Sequence, residues 1–190
     1  LDFSPDSRRF AAGMLSAREG QLSCSVYFMS MDANAEGPVY TADQGSMLLR
    51  LDWQSERRVM AVFDTYLAVL DPTTGTETAR YDYGGAALQS VAPGRRQTAL
   101  LLTVRGGNNL VTLSETLTPM AEIPARQAFG VSATDTDIYL LCPDAVECYG
   151  YDGVQNWVYS DLASRPLAVV NAAKPLLLTG SRAEVLEGGS

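Results

Sequence analysis

Short apolar runs separated by polar punctuation occupy almost the whole chain. Stretches such as "RVMAVF", "YLAVLD", "QTALLLTV", "NLVTLS", "DIYLLC" and "NWVYSD" are strand-sized and rich in Val, Leu, Tyr and Thr. Clusters of Gly, Pro, Asp, Asn and Ser divide them, as expected of short strands joined by turns. No stretch keeps a helical i, i+3, i+4, i+7 spacing with caps for more than about a turn. The pattern predicts an all-β chain.

The pattern also repeats. "FSPDSRR" at Phe3 to Arg9 is echoed by "WQSERR" at Trp53 to Arg58 and by "VAPGRR" at Val91 to Arg96. Fainter copies begin at Val131 ("VSATDTD") and Val169 ("VVNAAKP"), so the anchors step by 50, 38, 40 and 38 residues. A second marker follows each of the first four anchors. Asp32, Asp71, Ser114 and Asp152 each close an apolar strand and open a turn, at steps of 39, 43 and 38. Two independent markers in the same phase define a tandem unit of about forty residues.

Each unit reads as four strands: an inner one before the "SPDSRR"-type turn, two central ones, and an outer one after the "DPTTG"-type turn. One such sheet cannot bury both faces alone. Packing sheets face to face around an axis buries them and hides most edges, which is the logic of a β-propeller blade. The fold expected is therefore an all-β propeller with four complete four-stranded blades and a partial fifth. Their approximate spans are 1–46, 47–86, 87–126, 127–165 and 166–190, within a single propeller domain or propeller fragment.

The repeated stretches also carry a resemblance. "FSPDSRRFAA" resembles the "FSPDGK" stretch of WD-repeat and TolB-like propellers, and "LAVLDPTTGTE" resembles the "DxxTG" turn of quinoprotein-like and surface-layer-type repeats. The chain is also similar in general character to membrane-anchored Gram-positive propellers of unknown function. The resemblance implies a fold and leaves function open. The fifth unit has room for three strands, so the chain is expected to be the C-terminal portion of a larger ring. A self-contained five-bladed ring with one thin blade is the alternative.

Composition narrows the functional classes. The sequence is 46% hydrophobic and 19% charged, which suits a packed globular protein and excludes bulk disorder. A formal charge of −8 gives a mean field that repels nucleic acid and anionic lipid, so neither nucleic-acid binding nor direct membrane contact is expected. Histidine is absent, which removes Ser-His-Asp triads, Cys-His dyads and the common zinc sites. Cys24, Cys142 and Cys148 include no CxxC pair. Cys142 and Cys148 flank a turn in "CPDAVEC" and are expected to be free, partly buried thiols, with a cross-strand disulfide as the alternative.

Little in the sequence points to chemistry. Trp53 and Trp157 occupy different places in their units, so the per-blade tryptophan pattern of quinoproteins is missing and no cofactor or metal is assigned. Asp2 and Asp52 hold equivalent places on inner strands, where propellers line a central channel. Two acids about 5–10 Å apart would suit glycoside hydrolysis. The matching positions elsewhere are Ser90, Gly130 and Ala168, so no ring of acids is built. Asp135 and Asp137 in "ATDTDIY" read as turn residues rather than a calcium loop.

Three arginine pairs, Arg8–Arg9, Arg57–Arg58 and Arg95–Arg96, follow the inner strands and supply six of the fourteen basic residues. Blade geometry would bring them to one rim as a basic arc for an acidic protein or an anionic glycan. The plainer expectation is that arginine fills an exposed turn. The functional expectation is a non-catalytic platform for protein or glycan binding, within a larger extracellular or envelope-associated protein. A carbohydrate-active propeller using Asp2 and Asp52 and a purely structural domain are the alternatives. Exposed blade edges are expected to favour self-association.

Overall fold

The computed structural model describes residues 1–18, 20–32, 37–160, 162, 164–170 and 175–186. Every regular element among them is a β-strand. Residues 33–36 and 171–174, inside the "SMDANAEG" and "VVNAAKP" repeats, lie outside the described residues. The chain divides into two compact units, Leu1–Gly85 and Ala86–Ser190.

The first unit holds two four-stranded antiparallel sheets. One runs in order β1 (Asp2–Phe3), β2 (Arg9–Arg18), β3 (Gln21–Ser30) and β4 (Val39–Thr41). The other runs β5 (Leu48–Ser55), β6 (Arg58–Phe63), β7 (Tyr66–Asp71) and β8 (Thr76–Asp82). Strand position decides composition. Central β7, "YLAVLD", is buried at all six positions, whereas outer β8 has no fully buried residue. A strand covered on both faces reads as a continuous apolar run, as this one does.

Alternation along the strands builds the joint between these sheets. Ala11, Val26 and Phe28 of the first sheet pack in one cluster with Val59, Ala61, Phe63 and Ala68 of the second. Phe28 meets Trp53 edge-on, with ring centroids 6.1 Å apart. Gly13 faces Leu48 so closely that a Cβ there would lie 2.4 Å from the leucine Cδ2. Each fully buried large side chain of this kind contributes about 1.5–3 kcal/mol.

The two repeated turns have a common construction. In "SPDSRR", the Ser4 N–H donates to the Arg9 carbonyl at 2.9 Å and the Ser7 N–H to the Ser4 carbonyl at 2.8 Å. Asp6 accepts the Ser4 hydroxyl at 2.6 Å and the Arg8 N–H at 3.1 Å, and these bonds, the hydroxyl first, hold its carboxyl below the usual range. In "DPTTG", Asp71 accepts the Thr73 N–H at 2.8 Å, and Gly75 at φ 72° donates to the Asp71 carbonyl. Ser114 and Asp152 repeat the side-chain bond with Thr118 and Val154, both at 3.1 Å. At Asp71, Ser114 and Asp152 the second sequence marker is a turn whose first residue caps its own backbone.

The second unit holds two four-stranded antiparallel sheets and a three-stranded one. The first comprises β9 (Ala87–Pro93), β10 (Thr98–Val104), β11 (Gly107–Leu113) and β12 (Pro119–Pro124). The next comprises β13 (Gly130–Ala133), β14 (Asp137–Leu141), β15 (Val146–Gly150) and β16 (Gln155–Tyr159). The last comprises β17 (Pro166–Val170), β18 (Leu176–Thr179) and β19 (Ala183–Val185). The four complete blades and partial fifth expected from the repeat are thus present as sheets.

Successive sheets of this unit again pack by alternation. Ile138, Leu140 and Tyr149 of the middle sheet join Leu101 and Leu110 in one cluster. Tyr139, Leu141 and Val146, on its other face, join Val169 and Leu177 in a second. The cysteines separate along the same division, with Cys142 in the first cluster and Cys148 in the second. A disulfide across a sheet is geometrically impossible here, and all three cysteines are free and buried.

Candidate functional site

The innermost strands place the two candidate channel acids in different roles. Asp2 accepts the backbone N–H of Trp53 at 2.6 Å and that of Phe3 at 2.9 Å, so its carboxylate joins the first sheet to the second. Asp52 accepts the Gln54 amide at 2.9 Å and lies 3.8 Å from the Arg50 guanidinium, all on its own strand. In the second unit Ser90 accepts the Val131 N–H at 3.2 Å, and Ser132 accepts the Val169 N–H at 3.3 Å. The side chains of Asp2, Ser90 and Ser132 are clips between successive sheets, and Asp2 is the charged one.

The arginine pairs also diverge. Arg9 bonds the carboxylate and the main-chain carbonyl of Glu56, and its guanidinium lies 5.3 Å from the Trp53 ring centroid. Arg58 donates to the Gln54 amide oxygen at 2.6 Å, and Arg57 reaches Asp71 at 3.3 Å. These three side chains brace turns and the joint between sheets. Arg8 is exposed and close enough to Asp6 to help lower its pKa. Arg95 and Arg96 are exposed and have no hydrogen-bond or ion-pair partner among the described residues.

Arg95 and Arg96 belong to the turn between β9 and β10, which forms one wall of a cleft of about 710 Å³. The turn between β13 and β14 contributes Thr134, Asp135 and Thr136. Ser114 and Met120, from the end of β11 and from β12, line it as well. Tyr151 also lines the cleft; it is 5% exposed, and its hydroxyl donates to the Thr134 carbonyl at 3.1 Å. Burial pushes the phenol up to about 12, so it stays protonated at neutral pH. Thr134 caps its own turn by accepting the Asp137 N–H at 2.9 Å, which fixes the wall carrying Asp135. The cleft offers two cations, one carboxylate and several hydroxyls on short, hydrogen-bonded turns.

A polar cluster that the sequence pattern does not reveal joins the two sheets of the first unit. Tyr40 on β4 donates to Glu77 on β8 at 2.7 Å and meets the Tyr66 hydroxyl at 3.1 Å. The Arg80 guanidinium lies 3.7 Å from the Tyr66 ring centroid and ion-pairs with Asp43, Asp82 and Glu77. Burial raises the pKa of both phenols, so the cluster is a hydrogen-bonded bolt between sheets. Tyr and Arg at period-two positions look in sequence like ordinary strand residues; only register brings them together.

Comparison with known proteins supports the fold. No known protein family matches the sequence, and no curated protein matches it. Among solved structures, the chain is similar to the C-terminal WD40 domain of Sif2, with a TM-score of 0.66 and 10% identity over 88% of this chain and 54% of that one. It is similar to a eukaryotic initiation factor, with a TM-score of 0.67 and 11% identity over 90% of this chain and 46% of that one. The computationally designed protein Ika8 gives 0.64 and 10% over 87% and 54%. The chain spans about half the length of these proteins. The fold is a β-propeller repeat, and the likeness extends no further than fold.

Proposed function

We propose that the chain is a non-catalytic propeller platform that binds a protein partner through its inter-strand turns. The observation that carries this reading is the cleft of the second unit, whose walls are short turns presenting two arginines without a partner among the described residues. Groups suited to chemistry are committed elsewhere. Asp2 clips two sheets together, and the buried Cys142 and Cys148 thiols are pushed up to about 11. A thiol that stays protonated is a poor nucleophile.

A protein partner suits the site better than a glycan. Sugar faces are held by exposed aromatic rings, and the one aromatic residue of the cleft, Tyr151, is buried. The test is an array of short acidic, basic and neutral peptides probed with the labelled chain. The platform reading expects a reproducible subset to be retained by folded chain and lost on unfolding. Retention of no peptide by well-folded chain would end it.

A further inference from the structure

We propose that the cleft between the third and fourth sheets is a binding site for an extended acidic peptide segment, with Arg95 and Arg96 as its carboxylate-recognising residues. This rests on the platform reading and names its site and ligand chemistry. Of the three arginine pairs in the repeated turns, this is the one pair with both members exposed and without a side-chain partner among the described residues. Arg9, Arg57 and Arg58 each hold a neighbouring side chain. In a protein of net charge −8 the mean field works against anionic ligands, so attraction at this arginine pair must be local.

The remaining lining selects among anions. Asp135 stands on the wall formed by the β13–β14 turn, which makes the cleft mixed in sign. A compact inorganic anion would gain from the arginines and lose to Asp135. An extended peptide offers both partners at once: side-chain carboxylates for the guanidinium forks and main-chain N–H groups for Asp135. Met120 and the Gln97 stem give its backbone an apolar strip, with the Gln97 amide 3.8 Å from the Met120 sulfur. A volume of about 710 Å³ takes a short stretch of such a chain.

The experiment is fluorescence anisotropy at low ionic strength with three labelled peptides, of alternating glycine with glutamate, glutamine or lysine. The wild-type chain is expected to bind the Gly-Glu peptide at least about tenfold more tightly than the Gly-Gln peptide, as charge-assisted bonds exceed neutral ones. Arg95→Gln/Arg96→Gln should lose that preference, while Arg8→Gln, which removes an exposed charge outside the cleft, should keep it. Added salt should weaken the wild-type interaction. Equal binding of all three peptides, or equal loss with Arg8→Gln, would overturn the site. If the array retains only neutral or basic peptides, this inference fails and the platform stands; if it retains none, both fail.

Discussion

The carboxylate of Asp2 accepts the main-chain N–H of Trp53 across 2.6 Å, joining the innermost strands of two successive sheets. The donors of the equivalent bonds, Val131 and Val169, occupy the same anchor position of the repeat as Trp53. At these three places the anchor is where an inner strand receives its neighbour within one unit. Removing a charged acceptor from a half-buried N–H costs about 1.5–3 kcal/mol. Asp2→Ala should lower the urea-unfolding free energy of the first unit by that order, and Asp2→Asn should recover some of it. Asp52→Ala, which loses contacts only within its own strand, should stay within about 0.5 kcal/mol. Equal effects of the two alanine variants would refute the clip.

Ser7 is held at φ 59° in the "SPDSRR" turn, a left-handed conformation that costs a side-chain-bearing residue about 1–2 kcal/mol. Glycine adopts it without that cost but loses more chain entropy on folding, about 0.5–1 kcal/mol. Ser7→Gly should be stabilising by a few tenths to about 1 kcal/mol. Ser7→Val, β-branched at the same φ, should be destabilising. A thermal melt of both variants settles the sign.

Thr112 is fully buried between two sheets of the second unit, donating to the Tyr151 carbonyl at 2.8 Å and accepting the Ala121 N–H at 2.9 Å. Thr112→Val preserves shape and removes both of these side-chain hydrogen bonds. The expected cost is about 1–3 kcal/mol, read as a shift in urea midpoint at unchanged slope. Thr112→Ser should restore much of it. A neutral Thr112→Val would mean that these two bonds do not hold the sheets together.

The fold was legible in the sequence because two turn types recur in phase, and each has a local cause. The capped turn at Asp71 and the folded loop around Asp6 are built by residues within a few positions of one another. The candidate site was legible only in outline. Six arginines share one place in the repeat, yet Arg9 is drawn to Glu56, 47 residues away in sequence, while Arg95 and Arg96 are not drawn to any described side chain. The Tyr40–Glu77 bond and the walls of the cleft also join residues from different blades. Period and turn chemistry are local properties; which charges are neutralised depends on register between sheets.

Cys142 and Cys148 are buried on opposite faces of one sheet, with burial first and nearby carboxylates second in raising both thiols to about 11. At pH 8 the thiolate fraction of each is then very small. A colorimetric thiol reagent should react slowly with the native chain and rapidly with all three cysteines once it is unfolded. Mobility under non-reducing conditions should match that under reducing conditions. Fast reaction of either cysteine in folded protein would mean that its sheet opens locally.

Alkaline pH should unfold the chain through its tyrosines. Burial first, and neighbouring carboxylates after it, push Tyr139, Tyr149 and Tyr151 up to about 12 from an ordinary value of 10.0. Tyr40 and Tyr83 are raised in the same direction by burial. Between those values the unfolded chain releases phenolic protons that the folded chain keeps, so stability falls as pH rises. The contribution is intact below pH 10 and is lost as pH climbs toward 12. Tyrosinate absorbance should therefore lag behind that of the urea-unfolded chain and then rise together with the loss of β-sheet circular dichroism. Tyr151→Phe removes one such group and should make the loss of stability over this interval less steep. Full titration near pH 10 with the sheets intact would show that these phenols are not held by the fold.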